Sequence, residues 1–96
     1  MITYQVKITI DPSVESEWLH WMKTVHVPDV IACGLVRTFQ ILKPTTTEHL
    51  YHFNYNFDSH DSFEKYKQEF APALKEDVLM KYPDLFTSER ELFDWI

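Results

Sequence analysis

An alternating strand, an amphipathic helix closed by the chain's only glycine, two further strands, a second amphipathic helix and a last strand succeed one another along 96 residues. This β-α-β-β-α-β order constrains the fold more than any other feature of the chain. Ile2, Tyr4, Val6, Ile8 and Ile10 alternate with Thr3, Gln5, Lys7 and Thr9, a period of two that defines a half-buried strand. Asp11-Pro12 ends it, and Asp11 or Ser13 can cap the first helix. Val14, Trp18, Trp21, Met22 and Val25 then fall on one helical stripe.

Pro28 is expected to interrupt that helix, because it lacks an N–H and its ring meets the preceding turn. It can also open a short second segment, with Asp29 in its first turn and Gly34 at its close. Leu35 to Lys43 reads as the second strand and Leu50 to Phe57 as the third. In the latter, Tyr51, Phe53, Tyr55 and Phe57 share one face, while His52, Asn54 and Asn56 share the other. Asp58 or Ser59 starts the second helix, whose apolar stripe is Phe63, Tyr66, Phe70, Leu74 and Val78. Pro72 must kink or split it. Thr87 to Ile96 reads as a charged last strand suited to a sheet edge.

The order matches a ferredoxin-like α+β domain, with a four-stranded antiparallel sheet and both helices on one face. Residues 1–96 are expected to form a single domain, since the length leaves no room for a second core. The first and third strands, the most strictly alternating, should be the central pair. Their polar faces would bring Thr3, Gln5, Lys7 and Thr9 beside His52, Asn54 and Asn56, a surface that stays wet or meets a second copy across a two-fold axis. Three Trp, five Tyr and seven Phe supply a core without metal or disulfide, each contributing roughly 1.5–3 kcal/mol when enclosed.

Net charge is −6 with no basic cluster, which argues against nucleic acid and anionic membranes as partners. Cys33 is the sole cysteine, so no intrachain disulfide forms, in keeping with a reducing compartment. The first strand lacks the layout of a signal peptide, and no apolar run approaches the roughly 20 residues needed to cross a bilayer. A cytoplasmic protein is expected.

Few residues suggest chemistry. His20 and His26 do not share a helical face, and His49 and His52 bridge a loop and a strand; neither pair has zinc-site spacing, and no metal or cofactor is expected. His26 stands at the expected helix break, where it can face a pocket between helix and sheet; bonding to carbonyls freed by Pro28 is the competing role. Tyr4, Tyr51 and Tyr55 lie on helix-facing strand positions, where they pack as core or, with Trp21, line a cavity for a flat apolar ligand. Arg37 can meet a carboxylate. Glu89 and Glu91 share a strand face that suits solubility, Cys33 has no evident base, and no glycine-rich loop cradles a nucleotide.

Several segments also resemble a known family. They are Tyr4 to Asp11, Glu17 to Lys23, His26-Val27-Pro28-Asp29-Val30 with Gly34, Tyr51 to Tyr55, and Phe70-Ala71-Pro72-Ala73-Leu74. Together they resemble an uncharacterised family of short bacterial proteins carrying a domain of unknown function, of the dimeric α/β-barrel class of ferredoxin-like folds. The resemblance implies two sheets packed face to face in a homodimer. It also implies kinship with cofactor-independent monooxygenases, haem-degrading enzymes and small-molecule isomerases, although fold kinship alone does not confer an activity. The expected function is binding of a small, partly aromatic metabolite by Trp21, His26, Tyr51 and Tyr55, with Arg37 meeting an acidic group. The alternatives are an interaction module without a ligand site, and an enzyme of the monooxygenase-like or haem-degrading kind.

Overall fold

The computed structural model describes residues 1–96. Strands β1 (Ile2–Ile10), β2 (Val36–Leu42), β3 (Leu50–Phe57) and β4 (Phe86–Asp94) form one sheet in the order β2-β3-β1-β4. Every neighbouring pair is antiparallel, and β1 and β3 are the central strands, as their alternation requires. The first crossover consists of α1 (Glu15–Trp21), a π turn (Met22–His26) and α2 (Val27–Ile31); the second consists of α3 (His60–Glu69) and α4 (Ala71–Lys81). This is the ferredoxin-like α+β fold.

Register explains the core. Tyr4 pairs with Tyr55, Val6 with Phe53 and Ile8 with Tyr51, so the apolar rows of the two central strands coincide on the helix side. Trp18 is fully enclosed against them, its ring 5.2 Å from Tyr51 and 5.8 Å from Phe53. Phe63 and Tyr66 of α3 close the other end over Phe57, with ring centroids at 5.4 and 5.3 Å.

The first helical arm departs from expectation at Pro28. The chain does not break there: His26 and Val27 keep right-handed helical dihedrals, and the preceding turn widens instead. The Val27 N–H bonds the carbonyl of Met22, five residues back, which marks the π turn. One extra residue in the turn advances the inward stripe by one position. Val25, expected inside, is therefore 40% exposed, whereas Val27 and Val30 are buried. Gly34, at φ +81°, closes the arm in the left-handed conformation that glycine adopts without penalty.

The second arm is split as Pro72 demands. Ser59 and Ser62 form a reciprocal capping box at the start of α3. Phe70 leaves the helical path at φ −118°, and Pro72 enters the first turn of α4, where its missing N–H costs nothing. Phe63, Tyr66 and Val78 are buried, while Phe70 and Leu74 are half-buried.

The strand ends also differ slightly from expectation. β2 is shorter than Leu35 to Lys43, and β4 runs Phe86–Asp94 rather than to Ile96. Beyond β4 the Trp95 backbone N–H still bonds the Met1 carbonyl at 3.1 Å, and its indole N–H donates to Thr3 Oγ1 at 2.7 Å on the open sheet face. Thr3 Oγ1 in turn donates to Asn56 Oδ1 at 2.6 Å, and Asn56 Nδ2 donates to Thr38 Oγ1 at 2.9 Å. Gln5 Nε2 donates to Asn54 Oδ1 at 3.0 Å. The polar face is thus an ordered set of cross-strand hydrogen bonds. No helix is long and apolar enough to cross a membrane.

Candidate functional site

Between the π turn, α4 and the helix side of the sheet lies a cavity of about 200 Å³. Its walls are mainly apolar, with Val6, Ile8, Met22, Phe53 and Val78 among them. The polar groups are fewer: His26, the hydroxyls of Tyr4, Tyr55 and Tyr66, Ser88, and Lys75 with Arg90. An apolar enclosure with a few converging polar groups is the usual form of a small-molecule site.

Each polar group arrives there for a local reason. The stripe shift produced by the π turn brings His26 inward, where an uninterrupted helix would have carried Val25. Tyr4 and Tyr55 are register partners on the two central strands. Tyr66 sits on the buried stripe of α3, and Lys75 comes after Leu74 on the flank of α4. Ser88 and Arg90 pair with Ile8 and Val6, so they too face the helices.

Burial pushes the His26 pKa down, more strongly than Asp29 and Asp77 raise it, so the imidazole is neutral near pH 7. Burial raises Tyr55 and Tyr66; the phenols of Tyr66 and Tyr4 raise Tyr55 further, while Tyr4 and Cys33 raise Tyr66 against the pull of Arg90. Tyr4 is also raised by burial, against the pull of the Arg90 guanidinium. The cavity therefore presents neutral hydrogen-bonding groups in its interior and cations at its edge. No three of His, Cys, Asp and Glu come together to hold a metal ion.

Of the five residues expected at a site, His26 and Tyr55 line this cavity. Trp21 lies behind His26, its ring stacked on the imidazole at 5.8 Å and 23°, and it meets Tyr82 edge-on at 5.7 Å. Tyr51 lies elsewhere: its hydroxyl donates to Glu15 Oε2 at 2.6 Å, and Glu15 Oε1 is 2.6 Å from His49 Nδ1. Burial and the Glu15 carboxylate push the Tyr51 pKa up to about 12. Arg37 is remote from the cavity, exposed at an irregularity in the β2–β3 pairing and 3.1 Å from Asp58. The cavity instead recruits Tyr66, expected in the core, and Ser88 and Arg90, expected on an edge strand, together with Lys75, for which the sequence carried no expectation. The signal for Arg90 was present: Ser88, Arg90 and Leu92 alternate with Glu89 and Glu91, so they share the face opposite the acids.

Fold and cavity define a ferredoxin-like α+β protein with a partly open cavity between its helices and its sheet. The chain belongs to the family described as Domain of unknown function (DUF4286), whose model matches residues 1–96. No curated protein matches the sequence. Among solved structures, a putative antibiotic biosynthesis monooxygenase from Nitrosomonas europaea superposes with a TM-score of 0.74 at 10% identity, covering 100% of this chain and 99% of its own. A mutant of MhuD with two manganese protoporphyrin IX bound per active site gives 0.74 at 16% identity, covering 100% and 95%. SnoaB, a cofactor-independent oxygenase from Streptomyces nogalater, gives 0.65 at 15% identity, covering 99% and 92%. At these identities the likeness is one of fold.

Proposed function

We propose that the protein is a homodimeric α/β barrel in which each protomer, acting as one domain, binds a small, partly aromatic metabolite between its helices and its sheet. The cavity carries this reading, because a chain whose aromatic residues simply filled the core would leave no such space. Its volume of about 200 Å³ suits a single substituted ring, since an apolar cavity of roughly 150 Å³ accepts benzene. A tetrapyrrole fits poorly, because sites for drug-sized ligands run to about 300–1,000 Å³. The ordered polar sheet face, flanked by exposed Leu42, Phe93 and Trp95, supports face-to-face pairing of two copies. The unpaired Cys33 fits a cytoplasmic setting.

A second reading adds turnover in the same cavity. It is favoured by the neutral His26 imidazole, which can accept a proton from an acidic ring hydroxyl. The fold likeness to a structure named as a cofactor-independent oxygenase agrees with it.

Binding is tested with phenol as the probe, tracked through tyrosine and tryptophan NMR shifts. His26→Ala should weaken binding about tenfold or more, because one hydrogen bond in an apolar cavity is worth about 1–3 kcal/mol when its loss leaves a group unmatched. The same variant should lose acid sensitivity. A lowered folded-state pKa means that the unfolded chain protonates first, so wild-type stability falls as pH drops below the ordinary histidine value of about 6.5. Equal phenol affinity in wild type and His26→Ala would remove His26 from the site.

A further inference from the structure

From the convergence of cations at the mouth of the cavity, we infer that the ligand carries a carboxylate, held by Lys75 and Arg90 with its ring inside. The inference rests on the ligand-binding reading and specifies the chemistry of the ligand.

The cavity adjoins a second space of about 340 Å³, and Tyr4, Tyr66, Lys75 and Arg90 line both. These four residues therefore stand where the cavity meets the outer space. Lys67 reaches the outer space from α3, so three cations approach one opening in a chain of net charge −6. The four ion pairs of the chain are Arg37–Asp58, His49–Glu15, His49–Glu48 and His60–Asp94, and none involves Lys67, Lys75 or Arg90. The single acid of the outer space, Glu64, forms no ion pair with them.

The approach of like charges is close enough to matter. Burial lowers the Lys75 pKa, and the charges of Arg90 and Lys67 lower it further. Bringing cations together is unfavourable unless an anion joins them, and a guanidinium is suited to a planar carboxylate. Arg90 Nη1 donates to Ser88 Oγ at 3.1 Å and the guanidinium also acts on the Tyr4 hydroxyl, yet with five N–H donors and no carboxylate partner it keeps capacity for an anion. The hydroxyls of Tyr4 and Tyr66 lie at the same opening and can donate to the second carboxylate oxygen. Anionic and aromatic ends are thereby sorted: charge at the mouth, ring against Phe53 and Val78.

The test compares phenylacetate with phenylacetamide, which differ only in charge and its hydrogen bonding, by NMR titration of the full chain. Phenylacetate should bind at least about tenfold more tightly, and the preference should shrink as salt rises. In Lys75→Gln and Arg90→Gln the preference for the acid over the amide should fall to within about twofold, and Arg90→Lys should recover part of it. Both residues are exposed, so the variants should fold, which circular dichroism checks. Equal binding of acid and amide by wild type would overturn the carboxylate subsite and leave the ligand-binding reading standing. Binding of neither probe at millimolar concentration would overturn both.

Discussion

Trp18→Ala should lower stability by about 3–5 kcal/mol, the range found when a large enclosed aromatic is truncated. Trp18 is fully buried and sits over the helix-facing row of β3, against both Tyr51 and Phe53. It joins the first helical arm to β3, so its removal opens a void where the arm is pinned. For a domain of this size each kcal/mol moves Tm by about 4–8 °C, so Tm should fall by at least about 12 °C in a calorimetric scan. Trp18 Nε1 is an enclosed side-chain polar atom without a hydrogen-bond partner, and such a donor costs about 1–3 kcal/mol. Trp18→Phe discards that donor while keeping most of the ring, and should cost far less than alanine. Equal losses in the two variants would show that the indole contacts do not hold the arm.

Asn54→Asp should weaken the proposed dimer more than a hundredfold while leaving the protomer folded. Asn54 lies half-buried in the middle of the polar sheet face, and its Oδ1 already accepts from Gln5 Nε2. An aspartate keeps that acceptor, so the isolated protomer loses nothing. Once two faces close, each protomer buries an unpaired carboxylate, which costs several kcal/mol, and every 1.4 kcal/mol is tenfold in Kd. Sedimentation velocity over a concentration series reads this directly. A variant that dimerises as tightly as wild type would place the seam elsewhere.

The sheet was legible because its signals are local. Period two in β1 and β3 gave both faces, the central pair and the residues that line the polar surface. Gly34, Ser59 and Pro72 acted at the positions where their chemistry predicts. The π turn was not legible, since nothing in Met22 to His26 announces an inserted residue; Pro28 alone permits either a break or a widened turn. That one residue decides whether Val25 or His26 faces the interior, so it also decides much of the site. Arg37 and Tyr51 show the complementary limit. Both had the right chemistry, yet a pairing irregularity turned Arg37 towards Asp58, and Glu15 claimed the Tyr51 hydroxyl. Arg90 shows a signal read too coarsely, because its acidic neighbours point to the other side of β4. Lys75 gained its place from the tertiary path of α4 after the Pro72 split, which periodicity does not encode.

Native mass spectrometry of the protein as purified from cells tests dimerisation and ligand binding together. The expected result is a dimer carrying a defined extra mass per protomer, with fragmentation of the released adduct yielding a small aromatic acid. A bare monomer across micromolar concentrations would contradict both.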